Sequence, residues 1–186
     1  MTKGEDLPIA AADGGPPTRL RMGLGWDKSR TAGAAGSGLP DIDLDATAVQ
    51  FAGGKLFDLV FYNNLRTRDG SVEHLGDNLT GGGEGDDEVI TIDLGRVHGP
   101  VDTIVFMVSS YQGHTLEWIR HAYCRLVDDD RDVELARFTL TAGVPETGLV
   151  MAKLTRDGEG WRLTAIGTGI AATVPSESVA ALLPFV

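Results

Sequence analysis

Apolar and polar residues alternate with a period of two over much of the chain. The clearest case is residues 19–26, where every second residue is large and apolar. Because strand side chains point alternately to opposite faces, this spacing predicts a strand with one buried face. Further strands, rich in β-branched and aromatic residues, are predicted over residues 56–62, 89–94, 101–108, 122–126, 135–140, 149–155 and 161–166. Many short strands separated by Gly and Asp turns predict an all-β sandwich.

A few segments depart from this alternation. Residues 157–160 (Asp-Gly-Glu-Gly) predict a hairpin turn between the last two strands. Apolar residues at helical spacing over 115–123, and a terminal turn over 176–183, predict one or two short helices. Residues 1–17 are loose in composition and are expected to be a weakly ordered leader, which leaves residues 18–186 as a single domain.

Composition restricts the classes of function. The 186 residues carry a formal net charge of -11, which argues against a nucleic-acid partner because that surface selects for Lys and Arg. The single cysteine, Cys124, excludes an internal disulfide, and its place in a predicted strand indicates a buried thiol. The chain starts without a signal-peptide pattern and has no apolar run long enough to cross a bilayer, so we expect a cytoplasmic protein.

Two acidic clusters carry the candidate chemistry. Residues 76–88 combine five carboxylates and an Asn with several glycines, which gives oxygen ligands on a pliable loop, as Ca²⁺ requires. In residues 41–45, Asp41, Asp43 and Asp45 would share one face of an extended strand. Two carboxylates about 4 Å apart repel by roughly 4 kcal/mol at an effective dielectric near 20, and a bound cation reverses that sign. The alternative is that these acids simply face water.

Four motifs in order carry a family resemblance. They are residues 23–27 (Gly-Leu-Gly-Trp-Asp), 43–46 (Asp-Leu-Asp-Ala), 61–65 (Phe-Tyr-Asn-Asn-Leu) and the acidic loop 76–88. Together they resemble the TerD family of bacterial tellurite-resistance and stress proteins, over most of the chain. The resemblance implies a β-sandwich of two antiparallel sheets, with acidic loops meeting at one end. It also implies two bound calcium ions and no enzymatic activity.

The family picture implies a calcium site drawn from both clusters, with no catalytic residues. Its expected ligands are Asp27, Asp43, Asp45, Asp77, Asn78, Gly83 through its backbone carbonyl, Glu84, Asp86, Asp87 and Glu88. Expected partners are other stress or Ter-type proteins, with placement at the inner face of the membrane left open.

Two other functions remain open on the sequence. His114, Glu117 and His121 would share a face if residues 115–123 were helical, and could then hold zinc in a hydrolase. The spacing matches no HExxH-type motif, and histidines beside aromatic residues are more often plain packing. Alternatively, bound calcium could bridge the acidic loop to a phosphate or a lipid head group.

Overall fold

The strands of this protein form two sheets. The structure, a computed structural model, describes residues 1–10, 15–27, 44–76, 85–140 and 143–186, apart from the side chains of Asp27, Trp118, Arg120 and His121. In this part of the chain, one sheet has the order β1-β11-β10-β7-β3-β4 and the other β5-β6-β2-β8-β9. Every strand pair is antiparallel, which confirms the predicted all-β sandwich.

Most of the strands match predicted ones, whereas β1, β5 and most of β3 were not predicted. The strands are β1 Asp6–Pro8, β2 Arg19–Asp27, β3 Asp45–Ala52, β4 Lys55–Val60, β5 Val72–His74, β6 Glu88–Asp93, β7 Thr103–Ser109, β8 Arg120–Asp128, β9 Val133–Thr139, β10 Gly148–Asp157 and β11 Gly160–Ile170. The predicted turn over residues 157–160 is confirmed, because Asp157 pairs with Gly160.

The main core lies between the sheets. Every second residue of β2, from Leu20 to Trp26, points into it and is buried. Cys124 of β8 also faces this core, and burial raises the pKa of its thiol to about 12. The prediction of a buried thiol is thus confirmed.

The N-terminal residues differ from the expected leader. Residues 6–8 form β1, where Leu7 pairs with Leu163 of β11. The next residue, Ile9, is buried, and its N–H donates to the carbonyl of Trp161 at 2.7 Å. Leu7 and Ile9 therefore attach this segment to the core, while residues 11–14 lie outside the described part of the chain.

The segment predicted as a helix over 115–123 is mostly strand. Only Leu116–Trp118 forms a 3₁₀ turn, and β8 begins at Arg120. Ala122, Cys124 and Leu126 then point into the core at a spacing of two. The helical prediction was wrong here because the period-two burial of β8 outweighs three apolar residues at helical spacing.

A second, smaller core covers the outer face of the six-stranded sheet. Residues 175–186, here called the C-terminal cover, form a 3₁₀ turn (Pro175–Glu177), helix α1 (Val179–Leu182) and a second 3₁₀ turn (Leu183–Phe185). Leu182 packs against Val49, Phe51 and Met107. The predicted terminal helical turn is confirmed, and no helix in the described ranges has the length and apolar character needed to span a bilayer.

Candidate metal-binding end of the sandwich

Several strands start or finish together at one end of the sandwich, called here the acidic end. Asp45, the first residue of β3, pairs with Ser109, the last residue of β7. Glu88, the first residue of β6, pairs with Leu24 near the end of β2. The antiparallel register therefore brings acids from both clusters to the same end of the fold.

Glu88 connects the two sheets. It belongs to the five-stranded sheet, yet its Oε2 accepts the backbone N–H of Ala46 in the six-stranded sheet at 2.5 Å. His74 of β5 places Nε2 3.3 Å from the same oxygen, which is within ion-pair distance but outside hydrogen-bond geometry. His74 Nδ1 accepts the N–H of Gly76 at 3.1 Å, so the proton of the neutral ring lies on Nε2, toward Glu88.

The other carboxylate oxygen of Glu88 has no partner among the described residues. Glu88 is 2% exposed, and its Oε1 accepts no hydrogen bond from the described residues. Burial raises the pKa of Glu88 to about 7, the charge of Asp45 adds to the rise, and the contacts with His74 and Ala46 oppose it. A buried acceptor without a partner costs about 1–3 kcal/mol, so Oε1 marks a place where a donor or a cation would be stabilising.

Asp86 forms a salt bridge with an arginine of the same chain. Its two carboxylate oxygens accept hydrogen bonds from Nε and Nη2 of Arg125, at 2.7 and 2.9 Å. The hydroxyl of Tyr123 also donates to Oδ1, at 3.1 Å. The Asp86 side chain is 5% exposed and lies over Gly23 of β2. This bidentate pair satisfies Asp86 within the described residues, and the role of its carboxylate as a calcium ligand stays a prediction.

Asp87 holds the end of β2. Its Oδ2 accepts the N–H of Trp26 at 2.8 Å, and its own N–H donates to the carbonyl of Leu24 at the same distance. One carboxylate oxygen of Asp87 therefore organises the loop against the strand end.

Much of the predicted ligand set cannot be placed. Asp43, Asp77, Asn78, Gly83 and Glu84 lie outside the described residues, and Asp27 is described only by its backbone, which pairs with Arg120. Within the described ranges, no three side chains of His, Cys, Asp or Glu converge as metal ligands. Asp45 and Glu88 alone would not complete a calcium shell, which takes six to eight oxygens.

Sequence reasoning missed the partners of these acids. His74 occupies an inward position of β5, while Tyr123 and Arg125 share the outer face of β8. No strand was predicted over residues 72–74, so the inward position of His74 was missed. Local alternation also does not indicate which acid each residue meets, because that depends on sheet order.

The structure does not support the zinc site that the sequence left open as an alternative. His114 precedes the 3₁₀ turn, Glu117 lies exposed within it, and His121 belongs to β8. The three residues therefore do not share one helical face, which the hypothesis required.

Replacing Gly23 by alanine is expected to lower the free energy of unfolding by about 2 kcal/mol. A Cβ at this position would lie 2.0 Å from Asp86 Oδ2 and 2.2 Å from its Cγ, so Asp86 must leave Arg125. The measurement is urea unfolding of chelator-treated protein.

Gly99→Ala is the matched control, because a Cβ there meets nothing within 4 Å and Gly99 does not have a positive φ. We expect its stability to stay within about 0.5 kcal/mol of wild type. Equal stability of the two variants would show that the contact between Asp86 and Gly23 is not important.

Comparison with known proteins identifies relatives over nearly the whole chain. It is 36% identical to stress response protein SCP2 of Bacillus subtilis (strain 168) over 182 residues, covering 91% of each chain. It is 41% identical to tellurium resistance protein TerD of Alcaligenes sp. over 164 residues, covering 83% of this chain and 82% of the relative.

Solved structures share the fold. A homologue of telluride resistance protein TerD from Streptomyces coelicolor A3(2) superposes with a TM-score of 0.66 at 20% identity, covering 87% of this chain and 95% of the homologue. The family model described as the TerD domain matches residues 1–176. The chain therefore belongs to the TerD family.

Proposed function

We propose that this chain is a calcium-binding protein that acts in the stress response or in tellurite resistance. It would work in the cytoplasm by binding ligands or other stress proteins in a Ca²⁺-dependent way, without catalysing a reaction. The names of its relatives support the cellular role. The calcium chemistry is supported by the residues at the acidic end.

One observation carries the calcium proposal. Glu88 Oε1 is a buried carboxylate oxygen without a partner in the described part of the chain. The charge of Asp45 acts on Glu88, and the loop of residues 77–84 begins and ends at this same end of the sandwich. A divalent cation there would give Oε1 a partner and offset the repulsion between the two carboxylates.

The residues at the acidic end fit calcium in part. Asp45 and Glu88 would hold the ion from the two sheets, and the remaining oxygens would come from the loop between His74 and Glu88. Bound calcium would supply positive charge and coordination positions open to a partner. Asp86 and Asp87 instead fix the loop to β8 and β2 through Arg125 and Trp26.

Calcium is expected to stabilise the folded protein. At ten times its dissociation constant, each site adds about 1.4 kcal/mol to the free energy of unfolding. The measurement is urea unfolding in chelator, in calcium and in magnesium. Magnesium is expected to have little effect, since it keeps its waters and prefers few carboxylates.

The double variant Asp45→Ala and Asp77→Ala should lose the calcium effect while its stability in chelator changes little. The control is Glu159→Ala with Glu177→Ala, two exposed acids elsewhere in the structure that remove the same charge. If the control loses as much calcium stabilisation as the double variant, calcium acts through general charge screening and the proposed site is wrong.

A further inference from the structure

Three aromatic rings meet at the acidic end, and two of them belong to the motif of residues 61–65, which the calcium proposal does not use. Phe61 and Tyr62 follow β4, and Tyr111 follows β7. The rings of Phe61 and Tyr62 are 5.2 Å apart at 87°, and those of Tyr62 and Tyr111 are 5.8 Å apart at 77°. We call these three residues the aromatic corner, because the Tyr62 ring stands nearly perpendicular to both of its neighbours.

The aromatic corner is open to solvent. Tyr111 is 62% exposed, which makes it the most exposed of the large hydrophobic side chains in the described ranges, and Phe61 and Tyr62 are half-buried. Aromatic side chains held by one another at a surface are typical of binding sites, because they offer a large contact area at small entropic cost.

The charge around the aromatic corner favours a cation. Asp45 pairs with Ser109, two residues before Tyr111. Burial raises the pKa of Tyr62, and the negative charge of Asp45 raises it further. The chain as a whole carries a net charge of -11, which attracts cationic partners and repels anionic ones.

Other rings of this protein already contact a cation of the same chain. Arginine guanidinium groups lie 4.5–5.0 Å from three ring centroids, in the pairs Arg68 with Phe57, Arg137 with Tyr123 and Arg156 with Trp161. Among the described residues, no such cation lies over a ring of the aromatic corner. Its rings are therefore available to a cation from outside.

Two exposed leucines lie near the aromatic corner along the backbone pairing. Leu65 follows Asn64, whose backbone pairs with that of Phe61, and Leu65 is exposed. The carbonyl of Leu65 accepts the N–H of His74, which precedes the exposed Leu75. Exposed apolar side chains beside exposed rings favour a peptide segment over a small free cation.

We propose that the aromatic corner binds a lysine or arginine side chain from a basic segment of a partner protein. The cation would lie against the rings of Tyr62 and Tyr111 within reach of the Asp45 charge, and Leu65 and Leu75 would contact apolar parts of the segment. This inference does not depend on calcium binding, because it rests on the rings and on a carboxylate that is present without the ion.

The test is fluorescence anisotropy with a short labelled peptide of alternating lysine and leucine, measured in chelator and again in calcium. We expect saturable binding that Tyr111→Ala weakens by about three- to thirtyfold, the range for a cation–π contact. Tyr111→Phe should retain most of the affinity because it keeps the ring. Leu183→Ala, which removes an exposed apolar side chain from the C-terminal cover, is the matched control and should bind like wild type.

Three results would overturn the proposal. The first is equal peptide affinity for wild type and Tyr111→Ala, which would mean general attraction to an acidic protein. The second is the absence of saturable binding in both buffers. The third is Tyr111-dependent binding to phosphatidylcholine vesicles without binding to the peptide, which would assign the aromatic corner to lipid. Because the chelator arm contains no calcium, a failure of the calcium proposal would leave this result interpretable.

Discussion

Replacing Glu88 by alanine is expected to lower the free energy of unfolding by about 3 kcal/mol, because it leaves a cavity and a buried N–H without its acceptor. The variant removes the acceptor that holds the Ala46 N–H and leaves Nε2 of the buried His74 facing a cavity. Glu88 of β6 accepts a hydrogen bond from β3, so its loss also removes a hydrogen bond between the two sheets at the acidic end. The measurement is urea unfolding in the presence of chelator.

Two further variants separate structure from ligand binding at this position. Glu88→Gln keeps the volume and one oxygen for Ala46, so in chelator it should destabilise less than alanine, yet it should lose calcium stabilisation. Glu73→Ala removes an exposed acid from β5 and should change stability by less than about 0.5 kcal/mol. If Glu88→Ala is as stable as Glu73→Ala in chelator, Glu88 does not connect the sheets.

Replacing Leu182 by alanine is expected to destabilise the protein by about 3 kcal/mol, within the range for a fully buried leucine. Leu182 lies on the outer face of the six-stranded sheet, over Val49, Phe51 and Met107. The C-terminal cover therefore protects apolar surface that the sandwich alone would expose. Thermal unfolding and binding of a hydrophobic dye measure the two consequences.

The neighbouring residue provides the control. Leu183 is 50% exposed, so Leu183→Ala removes the same atoms from the same segment and should cost less than about 0.5 kcal/mol. Equal effects of the two substitutions would mean that burial of the Leu182 side chain against the outer face does not stabilise the fold.

The alternation of apolar residues predicted the strands well because a half-buried strand imposes it directly. It succeeded for β2, where glycines and arginines occupy the outer positions. It failed over residues 115–123, where a short turn followed by strand β8 places several apolar residues at helical spacing. The outer core under the C-terminal cover was also not foreseen, although β7 is buried at every position, as expected for a strand covered on both faces.

The candidate site could be predicted only in part. The sequence predicted that the two acidic clusters meet, and the structure places Asp45 and Glu88 at the same end of the sandwich. The sequence did not predict that Asp86 would pair with Arg125, which is 39 residues away, or that Glu88 would contact His74. Such contacts depend on strand order and register, which local patterns do not encode.

Calorimetric titration of chelator-stripped protein with calcium, repeated with magnesium, tests the central claim most directly. The account predicts saturable binding of about two calcium ions per chain, selective over magnesium and lost in the Asp45→Ala and Asp77→Ala double variant. The absence of binding heat, together with unchanged unfolding in calcium, would contradict it. The acids of this end would then serve only to fix the loop and to attract cationic partners.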